Sequence, residues 1–277
     1  MILMDGKAYR DELLEVYKET IEREKLIIRL DIILVGENQA SEVYVHNKEK
    51  YARFVGIEVV THRLSEQISE EELLALIDSL NEDERVTGII LQSPIPDQMD
   101  FDRCANRISK GKDVDGFTTE NIYALYQNKA ILIPCTVKGI IALLNKYGIG
   151  ISGKKVAILG RGGIVGRPLA LALTNLDATV TLCHSKTKNL CEITKEADIV
   201  ISAVGKKGLV TKDMVKDGFV GIDVGINRDE SNKLVGDFDF EGLCEKASFI
   251  TPVPGGVGPM TVAMIIDNLI IAKKKER

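Results

Sequence analysis

The feature that most constrains this chain is an apolar segment, residues 155–159, that runs directly into a glycine-rich turn. The turn carries Gly160, Gly162 and Gly166, and a helical pattern follows it. Glycines at such a turn let the backbone approach a pyrophosphate, and the free N–H groups of the following helix supply hydrogen-bond donors. The segment therefore predicts a nucleotide site, although the same glycines occur where a chain only needs a tight corner.

The segments after the turn favour the nucleotide site. Apolar runs of strand length occur at residues 178–182 and 197–203, and helix-length segments separate them. This alternation predicts a parallel sheet with right-handed crossovers, that is, a Rossmann-like domain. A doubly wound domain that binds no nucleotide is the alternative.

Charge at the end of the second strand of this domain indicates which dinucleotide binds. NAD sites usually place a carboxylate there, which accepts hydrogen bonds from the ribose hydroxyls. In this chain Cys183, His184 and Ser185 occupy the position, two lysines follow, and Arg161 lies in the glycine turn. Because no carboxylate would repel a phosphate and Arg161 could pair with one, we predict NADP as the cofactor, with NAD as the alternative.

The glycine turn lies beyond the midpoint of the chain, so the first half is available to hold a substrate. Its periodicity predicts a second parallel α/β layer, with helices at residues 11–24, 41–54 and 70–80 and strands at residues 27–35, 57–61 and 86–92. Working residues of such sheets lie at the carboxyl ends of the strands.

Three groups of residues fall at those strand ends, and the first is the pair Tyr44 and Lys48. Ser41 is the expected N-cap of their helix, and the spacing of four places the phenol and the amine on one face. Such a pair can stack on a flat ring and move a proton, provided that burial favours the neutral amine. An ordinary solvated face is an equal alternative.

The second and third groups are Gln92 and the alternating acids Asp113 and Asp115. Gln92 ends a buried strand, and its amide could hydrogen-bond to a lysine amine or a substrate carbonyl; a plain strand cap is the alternative. One of the two carboxylates could accept two parallel donors from an aminopyrimidine-like edge, while the other caps a turn or pairs with Lys112. A calcium loop would need further oxygen ligands at spaced positions.

Composition excludes several other classes of protein. The chain has 277 residues, 45% of them hydrophobic, and a net charge of −5, which argues against nucleic acid as a partner. No apolar run reaches the length of a membrane span and no signal-peptide pattern is present, so we expect no membrane association and a cytoplasmic location. The five cysteines and three histidines lack metal-ligand spacing, so we expect neither disulfides nor a metal site.

Taken in order, these motifs match one enzyme family. They are Tyr44-x-x-x-Lys48, Gln92-x-Pro94-x-Pro96, Lys112-Asp113-Val114-Asp115-Gly116, Pro134-Cys135-Thr136, the turn Gly160-Arg161 to Gly166, Cys183-His184-Ser185-x-Thr187, and the block TPVPGGVGPMT at residues 251–261. Over nearly its whole length the chain resembles the bifunctional methylenetetrahydrofolate dehydrogenase/methenyltetrahydrofolate cyclohydrolase family.

The resemblance implies a reaction and a set of site residues. The reaction is NADP-dependent oxidation of methylenetetrahydrofolate followed by hydrolysis of the methenyl product to formyltetrahydrofolate, a step in one-carbon metabolism that serves purine biosynthesis. Lys48 would be the acid/base, Gln92 would tune it, Tyr44 would stack on the folate, and Asp115 would bind the pterin. Matching positions place Pro254 and Gly255 at the substrate, and at the cofactor Gly160, Arg161, Gly162, Gly166, Ser185, Thr136 and Ile226.

The resemblance also implies the architecture. It predicts a catalytic, folate-binding domain of residues 1–137 plus 253–277, a Rossmann domain of residues 138–252, a carboxy-terminal helix that returns to the first domain, and a homodimer formed through the Rossmann domain. One departure from the family pattern concerns the cofactor, because Gly162 stands where a serine commonly follows the arginine. Ser93, Tyr123 and Val137 also depart from the pattern and leave the four catalytic groups intact.

The main alternative is a dehydrogenase of the shikimate type, which shares the order of a substrate domain followed by a nucleotide domain. It would act on a small carbonyl acid and would not need Asp115 near an aminopyrimidine. A short-chain dehydrogenase also uses Tyr-x-x-x-Lys, but its glycine turn precedes that pair, whereas here Tyr44 precedes Gly160. A non-catalytic nucleotide sensor would have no use for a buried base.

Overall fold

The computed structural model describes residues 1–275, with Ala40 described by its backbone only. The described chain divides into two compact units. The first unit contains residues 11–135 and the segment that begins at Val262, and the second contains residues 1–10 and 136–261. Both units are parallel α/β structures, as the sequence predicts.

The first unit is built on a three-stranded parallel sheet in the order β3-β2-β4. Its strands are β2 (Arg29–Val35), β3 (Glu58–Leu64) and β4 (Gly88–Leu91), and its helices include α1 (Gly6–Glu24, from residue 11 on), α2 (Gln39–Phe54), α3 (Glu70–Glu82), α4 (Phe101–Ala105) and α5 (Thr119–Tyr126). The central strand β2 is almost wholly buried, and Ile33, Ile77 and Ile89 belong to the core cluster between the sheet and α3. Each predicted strand and helix of this half is present, with ends shifted by a few residues.

The start of α2 corrects one sequence-based prediction. Asn38, and not Ser41, is the N-cap, because the Asn38 side chain accepts a hydrogen bond from the backbone N–H of Ser41 at 3.1 Å. Ser41 is instead buried, and its hydroxyl donates to the backbone carbonyl of Ser93 at 3.3 Å. Both residue types are good N-caps, so only the path of the chain could choose between them.

The second unit is a six-stranded parallel sheet in the order β1-β11-β8-β7-β5-β6. Its strands are β1 (Ile2–Leu3), β5 (Lys155–Leu159), β6 (Thr179–Cys183), β7 (Ile199–Ser202), β8 (Val220–Asp223) and β11 (Phe249–Ile250). The hairpin of β9 (Asn227–Arg228) and β10 (Leu234–Val235) follows β8. The helices are α6 (Cys135–Lys146), α7 (Gly166–Asn175), α8 (Leu190–Glu196) and α9 (Phe240–Cys244), with a short 3-10 helix at Lys212–Met214.

The division of the chain departs from the predicted domains at three places, the smallest being Thr136 and Val137, which belong to the second unit. Residues 1–10, expected in the first domain, belong to the second unit because β1 pairs in parallel with β11, Ile2 opposite Phe249. Residues 253–261 also belong there, and the Lys7 N–H donates to the carbonyl of Gly255 at 2.9 Å. The last helix, α10 (Val257–Lys275), contributes its residues from Val262 onward to the first unit, as the predicted return requires.

Across residues 1–275, none of the helices combines the length and the apolar character that a membrane span requires.

Candidate active site

In the first unit, the side chains of Lys48, Gln92 and Asp115 meet at the carboxyl ends of the strands. The Lys48 ammonium donates to Gln92 Oε1 at 3.0 Å and lies 3.8 Å from Asp115 Oδ2. The Lys48 side chain is only 10% exposed and that of Asp115 is 21% exposed. Because an ammonium withdrawn from water needs compensating acceptors, this arrangement distinguishes Lys48 from a lysine on a solvated helix face.

The orientation of the Gln92 amide follows from its second contact. Its Nε2 donates to the backbone carbonyl of Ser93 at 2.8 Å, which turns Oε1 toward Lys48. The Ser93 carbonyl also accepts from the Ser41 hydroxyl. The start of α2 and the chain leaving β4 are therefore joined at the point where Gln92 is held.

Tyr44 lies one helical turn before Lys48 on α2 and is 47% exposed. The spacing of four residues places the two side chains on the same face of the helix. The phenol ring is thus a solvent-accessible flat surface beside a group that is mostly buried.

The two acids of the loop after α4 have separate roles. Asp113 is buried, and its carboxylate accepts from Gly116 N at 2.9 Å, from Thr118 N at 2.8 Å and from Asn121 Nδ2 at 2.8 Å. It therefore holds the turn that leads into α5, which leaves Asp115 to face Lys48. The pattern of the two acids alone left these roles open, and the family resemblance pointed to Asp115 as the residue that binds the ligand.

Lys112, the other possible partner of these acids, reaches the end of α3. Its ammonium donates to the backbone carbonyls of Leu80, Asn81 and Asp83 at 2.8 to 2.9 Å. A cation at the carboxyl end of a helix is favourable for the helix dipole. Among residues 1–275, no group of three or more His, Cys, Asp or Glu side chains is arranged to hold a metal ion.

In the second unit, the glycine turn has the close backbone approaches that a dinucleotide site requires. Gly160 has φ +105°, and a Cβ there would lie 2.5 Å from the carbonyl oxygen of Ala203. A Cβ on Gly166 would lie 2.0 Å from the carbonyl oxygen of Gly160, so both positions require glycine. At Gly162, by contrast, a Cβ would meet no described atom within 4 Å. The turn leads into α7, and its N-cap Val165 makes no side-chain capping bond.

The sheet register places two candidate phosphate ligands at the same edge. Leu159 of β5 pairs with Cys183 of β6, and Arg161 and Ser185 each follow two residues later. Both residues are exposed. A guanidinium and a hydroxyl beyond neighbouring strand ends fit the extra phosphate that distinguishes NADP from NAD. The glycine turn, together with Arg161 and Ser185, fits a bound NADP.

Two buried carboxylates in the second unit were not singled out by the sequence. Asp237 accepts at Oδ2 from the Ser202 hydroxyl at 2.7 Å and from Val204 N at 2.8 Å, and at Oδ1 from Lys206 N at 2.7 Å and Asn227 Nδ2 at 3.1 Å. These contacts fasten the segments that follow β7 and β8 to one another. The one local feature that could have drawn attention to Asp237 is its position after a glycine near a strand end. The sequence does not show its hydrogen-bond partners, because most of them lie far away along the chain.

Asp223, at the end of β8, is the second of these carboxylates. It accepts from Gly225 N, Asp237 N and Phe238 N at 2.9 to 3.0 Å. Burial raises the pKa of Asp223 to about 6, although these N–H donors favour the charged form. Ile226, a predicted cofactor residue, is 55% exposed in the loop between Asp223 and the hairpin strand β9.

The remaining predicted residues all lie in the second unit. Thr136 and Thr261 share a hydrogen bond between hydroxyls at 3.2 Å. Pro254 follows a cis peptide bond, and Gly255 has φ +109°, where a side chain would be strained. The structure therefore collects the catalytic candidates in one unit and the cofactor candidates, with Pro254 and Gly255, in the other.

The first unit brings a mostly buried lysine against a buried amide and a partly exposed carboxylate, and the second unit is of the Rossmann type. Together they define a dinucleotide-dependent enzyme with a separate substrate domain. Models of the tetrahydrofolate dehydrogenase/cyclohydrolase family match the chain, the catalytic domain over residues 4–115 and the NAD(P)-binding domain over residues 134–277. The chain belongs to this family, and the resemblance drawn from its motifs is confirmed.

Individual relatives cover the chain almost completely. The "Bifunctional protein FolD" of Lachnoclostridium phytofermentans is 47% identical over 277 residues, 99% of this chain and 98% of that protein. The FolD methylenetetrahydrofolate dehydrogenase/cyclohydrolase of Campylobacter jejuni is 45% identical with a TM-score of 0.97 and covers 100% of both chains. The Trypanosoma brucei enzyme, solved with NADP cofactor and an inhibitor, is 35% identical with a TM-score of 0.94 and covers 100% of this chain and 98% of that one.

The alternative of a shikimate-type enzyme rests on the fold alone. Shikimate dehydrogenase from Aquifex aeolicus superposes with a TM-score of 0.51 at 16% identity, covering 91% of this chain and 98% of that one. This similarity therefore concerns the architecture. It does not extend to the contacts of Lys48 with Gln92 and Asp115 that form the site of this chain.

Proposed function

We propose that this protein oxidises methylenetetrahydrofolate to methenyltetrahydrofolate with NADP and then hydrolyses the product to formyltetrahydrofolate. The observation that carries the proposal is the Lys48 ammonium, 3.0 Å from Gln92 Oε1 and 3.8 Å from Asp115 Oδ2. When bound, NADP supplies the acceptor for the hydride of the methylene bridge.

The first unit would bind and orient the folate. Asp115 is partly exposed beside Lys48, and its carboxylate can accept two parallel N–H bonds from the aminopyrimidine edge of a pterin. Tyr44 would stack on the adjoining ring from its exposed position on α2. Pro254 and Gly255 are proposed as further substrate contacts.

Lys48 would move the protons of the hydrolytic step. In its neutral form the amine accepts a proton from the water that attacks the methenyl carbon. As the ring carbon–nitrogen bond breaks, the ammonium returns a proton to the departing nitrogen and the new hydroxyl loses its proton to form the formyl carbonyl. One proton is released overall. Gln92 keeps the amine in place throughout by accepting its hydrogen bond.

The second unit would hold the dinucleotide. Gly160, Gly162 and Gly166 bring the backbone close to the pyrophosphate, while Arg161 and Ser185 bind the 2′-phosphate. Thr136 and Ile226 are proposed to line the rest of the site. The exposure of Arg161 and Ser185 beyond paired strand ends supports this assignment.

The deciding experiment mixes the protein with methylenetetrahydrofolate and either NADP or NAD, and follows the methenyl absorbance. We expect formation with NADP, faster than with NAD, and then decay of the same signal above the uncatalysed rate of hydrolysis. No methenyl signal with either dinucleotide would refute the dehydrogenase, and decay at the uncatalysed rate would refute the cyclohydrolase.

Two further proposals concern the state of the protein in the cell. A homodimer through the second unit is supported by β6, which stands at the edge of the six-stranded sheet with Thr179 and Thr181 exposed. Light scattering tests it, since a monomer at all concentrations would contradict it. A cytoplasmic location is supported by the five cysteines, which form no disulfide among residues 1–275, as a reducing compartment requires. Cell fractionation tests it.

A further inference from the structure

One fully buried amide on the carboxy-terminal helix has no part in the reaction as described. Asn268 lies on α10 and is 0% exposed. Its Nδ2 donates to the backbone carbonyl of Val114 at 2.9 Å and to that of Ile133 at 3.0 Å. Both hydrogens of the amide are therefore used on two separate stretches of the first unit.

These two carbonyls flank the residue that faces Lys48. Val114 immediately precedes Asp115, and Ile133 lies in the segment that packs against Gly116 on its other side. Gly116 has φ +79°, and a Cβ there would lie 2.7 Å from Pro134 N and 2.8 Å from the carbonyl carbon of Ile133. The backbone on either side of Asp115 is thus pinned.

Side-chain packing also restrains the backbone at Val114, immediately before Asp115. Val114 is 0% exposed and lies above Gly88 of β4, where a Cβ would come within 2.5 Å of Val114 Cγ1 and 2.6 Å of Leu269 Cδ2. Leu269 is the neighbour of Asn268 on α10. Cys135 adds a weaker contact, since its Sγ donates to the Val114 carbonyl at 3.2 Å.

We propose that Asn268 is a positioning residue, which sets the Asp115 carboxylate for binding the substrate by holding the backbone immediately before it. The proposal rests on the proposed folate site. Asn268 touches neither Lys48 nor the ligand in this scheme and acts through Val114. A rigid site loses less freedom when the substrate binds, so removing the tie weakens folate binding and leaves the dinucleotide site of the other unit as it is.

The test compares Asn268→Ser, which keeps one donor, with Asn268→Asp, which places carboxylate oxygens against two carbonyl oxygens. For each variant, the KM for methylenetetrahydrofolate and the KM for NADP are measured below the melting temperature. We expect the folate KM to rise roughly tenfold in Asn268→Asp, less in Asn268→Ser, and the NADP KM to stay within about twofold. Ile270→Val, a buried change two residues along α10, is the control and should alter neither KM.

A double-mutant cycle separates positioning from general destabilisation. If Asn268 acts through Asp115, then Asn268→Ser should cost little further folate affinity in a protein that already carries Asp115→Asn, because the coupling is lost with the carboxylate. Additive losses, equal increases in both KM values, or an unchanged folate KM in Asn268→Asp would overturn the inference. If Asn268→Asp does not fold, the Asn268→Ser cycle still decides it. If the natural chain turns over methylenetetrahydrofolate and the Asn268 variants keep its KM values, only this inference is refuted. If the natural chain shows no turnover, the proposed function is refuted as well.

Discussion

Lys48 Nζ and Asp115 Oδ2 lie 3.8 Å apart in a setting where the lysine side chain is only 10% exposed. The pair joins an acid/base candidate on α2 to a ligand-binding candidate on a loop that follows α4. The Lys48 amine and a substrate that binds Asp115 would therefore share the same carboxylate. The proton chemistry and the binding of the pterin edge therefore depend on one shared contact.

Replacing the amine should separate hydrolysis from binding. We expect Lys48→Met to lower the cyclohydrolase rate by about 100-fold or more, since a positioned acid/base contributes on that order, while tetrahydrofolate binding stays measurable. Lys50→Met, an exposed lysine on the same helix, is the matched control. Hydrolysis of methenyltetrahydrofolate is followed by loss of absorbance. Undiminished turnover in Lys48→Met would remove the residue from the mechanism.

The two acids of the same loop should respond differently to amidation. Asp115→Asn should weaken tetrahydrofolate binding, because the new amide N–H would face the N–H donors of the pterin. It should change the free energy of unfolding by less than about 1 kcal/mol. Asp113→Asn should instead lower that free energy by roughly 1–3 kcal/mol, since three donors depend on its buried carboxylate. Calorimetric titration and urea unfolding measure the two quantities. Equal stability losses would contradict the division of roles.

Cofactor preference should respond to Gly162. A Cβ there meets no described atom within 4 Å, so Gly162→Ser should fold normally and add a hydroxyl near the 2′-phosphate site. We expect the ratio of kcat/KM for NADP to that for NAD to rise about three- to tenfold. Gly150→Ser, equally free of neighbours and outside the turn, serves as the control. A ratio that stays constant would show that position 162 does not contact the phosphate.

The close approach inside the glycine turn should be intolerant of a single methyl group. In Gly166→Ala the new Cβ would lie 2.0 Å from the carbonyl oxygen of Gly160, which forces the backbone apart. We expect a loss of roughly 1–3 kcal/mol in unfolding free energy together with weaker NADP binding. Gly163→Ala places its Cβ in open space and should unfold at nearly the normal temperature. Thermal melts of the two variants compare them directly, and equal melts would refute the steric argument.

Asp223 should make a pH-dependent contribution to stability. Its folded pKa is raised from 3.8 to about 6, so the native state holds this proton in a range where the unfolded chain has released it. Stability from this group is therefore present below pH 4 and is lost as the pH rises to about 6, by about 3 kcal/mol at most. The difference in unfolding free energy between the natural chain and Asp223→Asn, measured in urea from pH 4 to pH 7, should fall over that window. A difference that is constant with pH would contradict the assignment.

Much of the fold was readable from local patterns. Apolar runs and the glycine turn predicted the strands β5, β6 and β7 and the helix that follows the turn, because strand and helix periodicity depend on near neighbours in the chain. The lysine, the amide and the acids were also found at strand ends, since parallel sheets place such residues together.

The choice between equivalent residues was made by the tertiary structure. Asn38 and Ser41 are both good caps, and Asp113 and Asp115 are both acceptors. Long-range packing decided which member of each pair accepts a hydrogen bond from the backbone where the next helix begins. Partners distant in the chain, such as Asp237 with the segment after β7, left no local periodic signal.

The sequence by itself therefore determined the α/β architecture, the glycine turn that suits a dinucleotide, and the residue types of the catalytic group. Only the tertiary structure decided that residues 1–10 join the second sheet, that Asp115 faces Lys48, and that Asn268 holds the backbone beside it. The physical reason is that local conformation depends on neighbours along the chain. Hydrogen-bond partners and burial depend instead on which distant segments the folded core brings within reach.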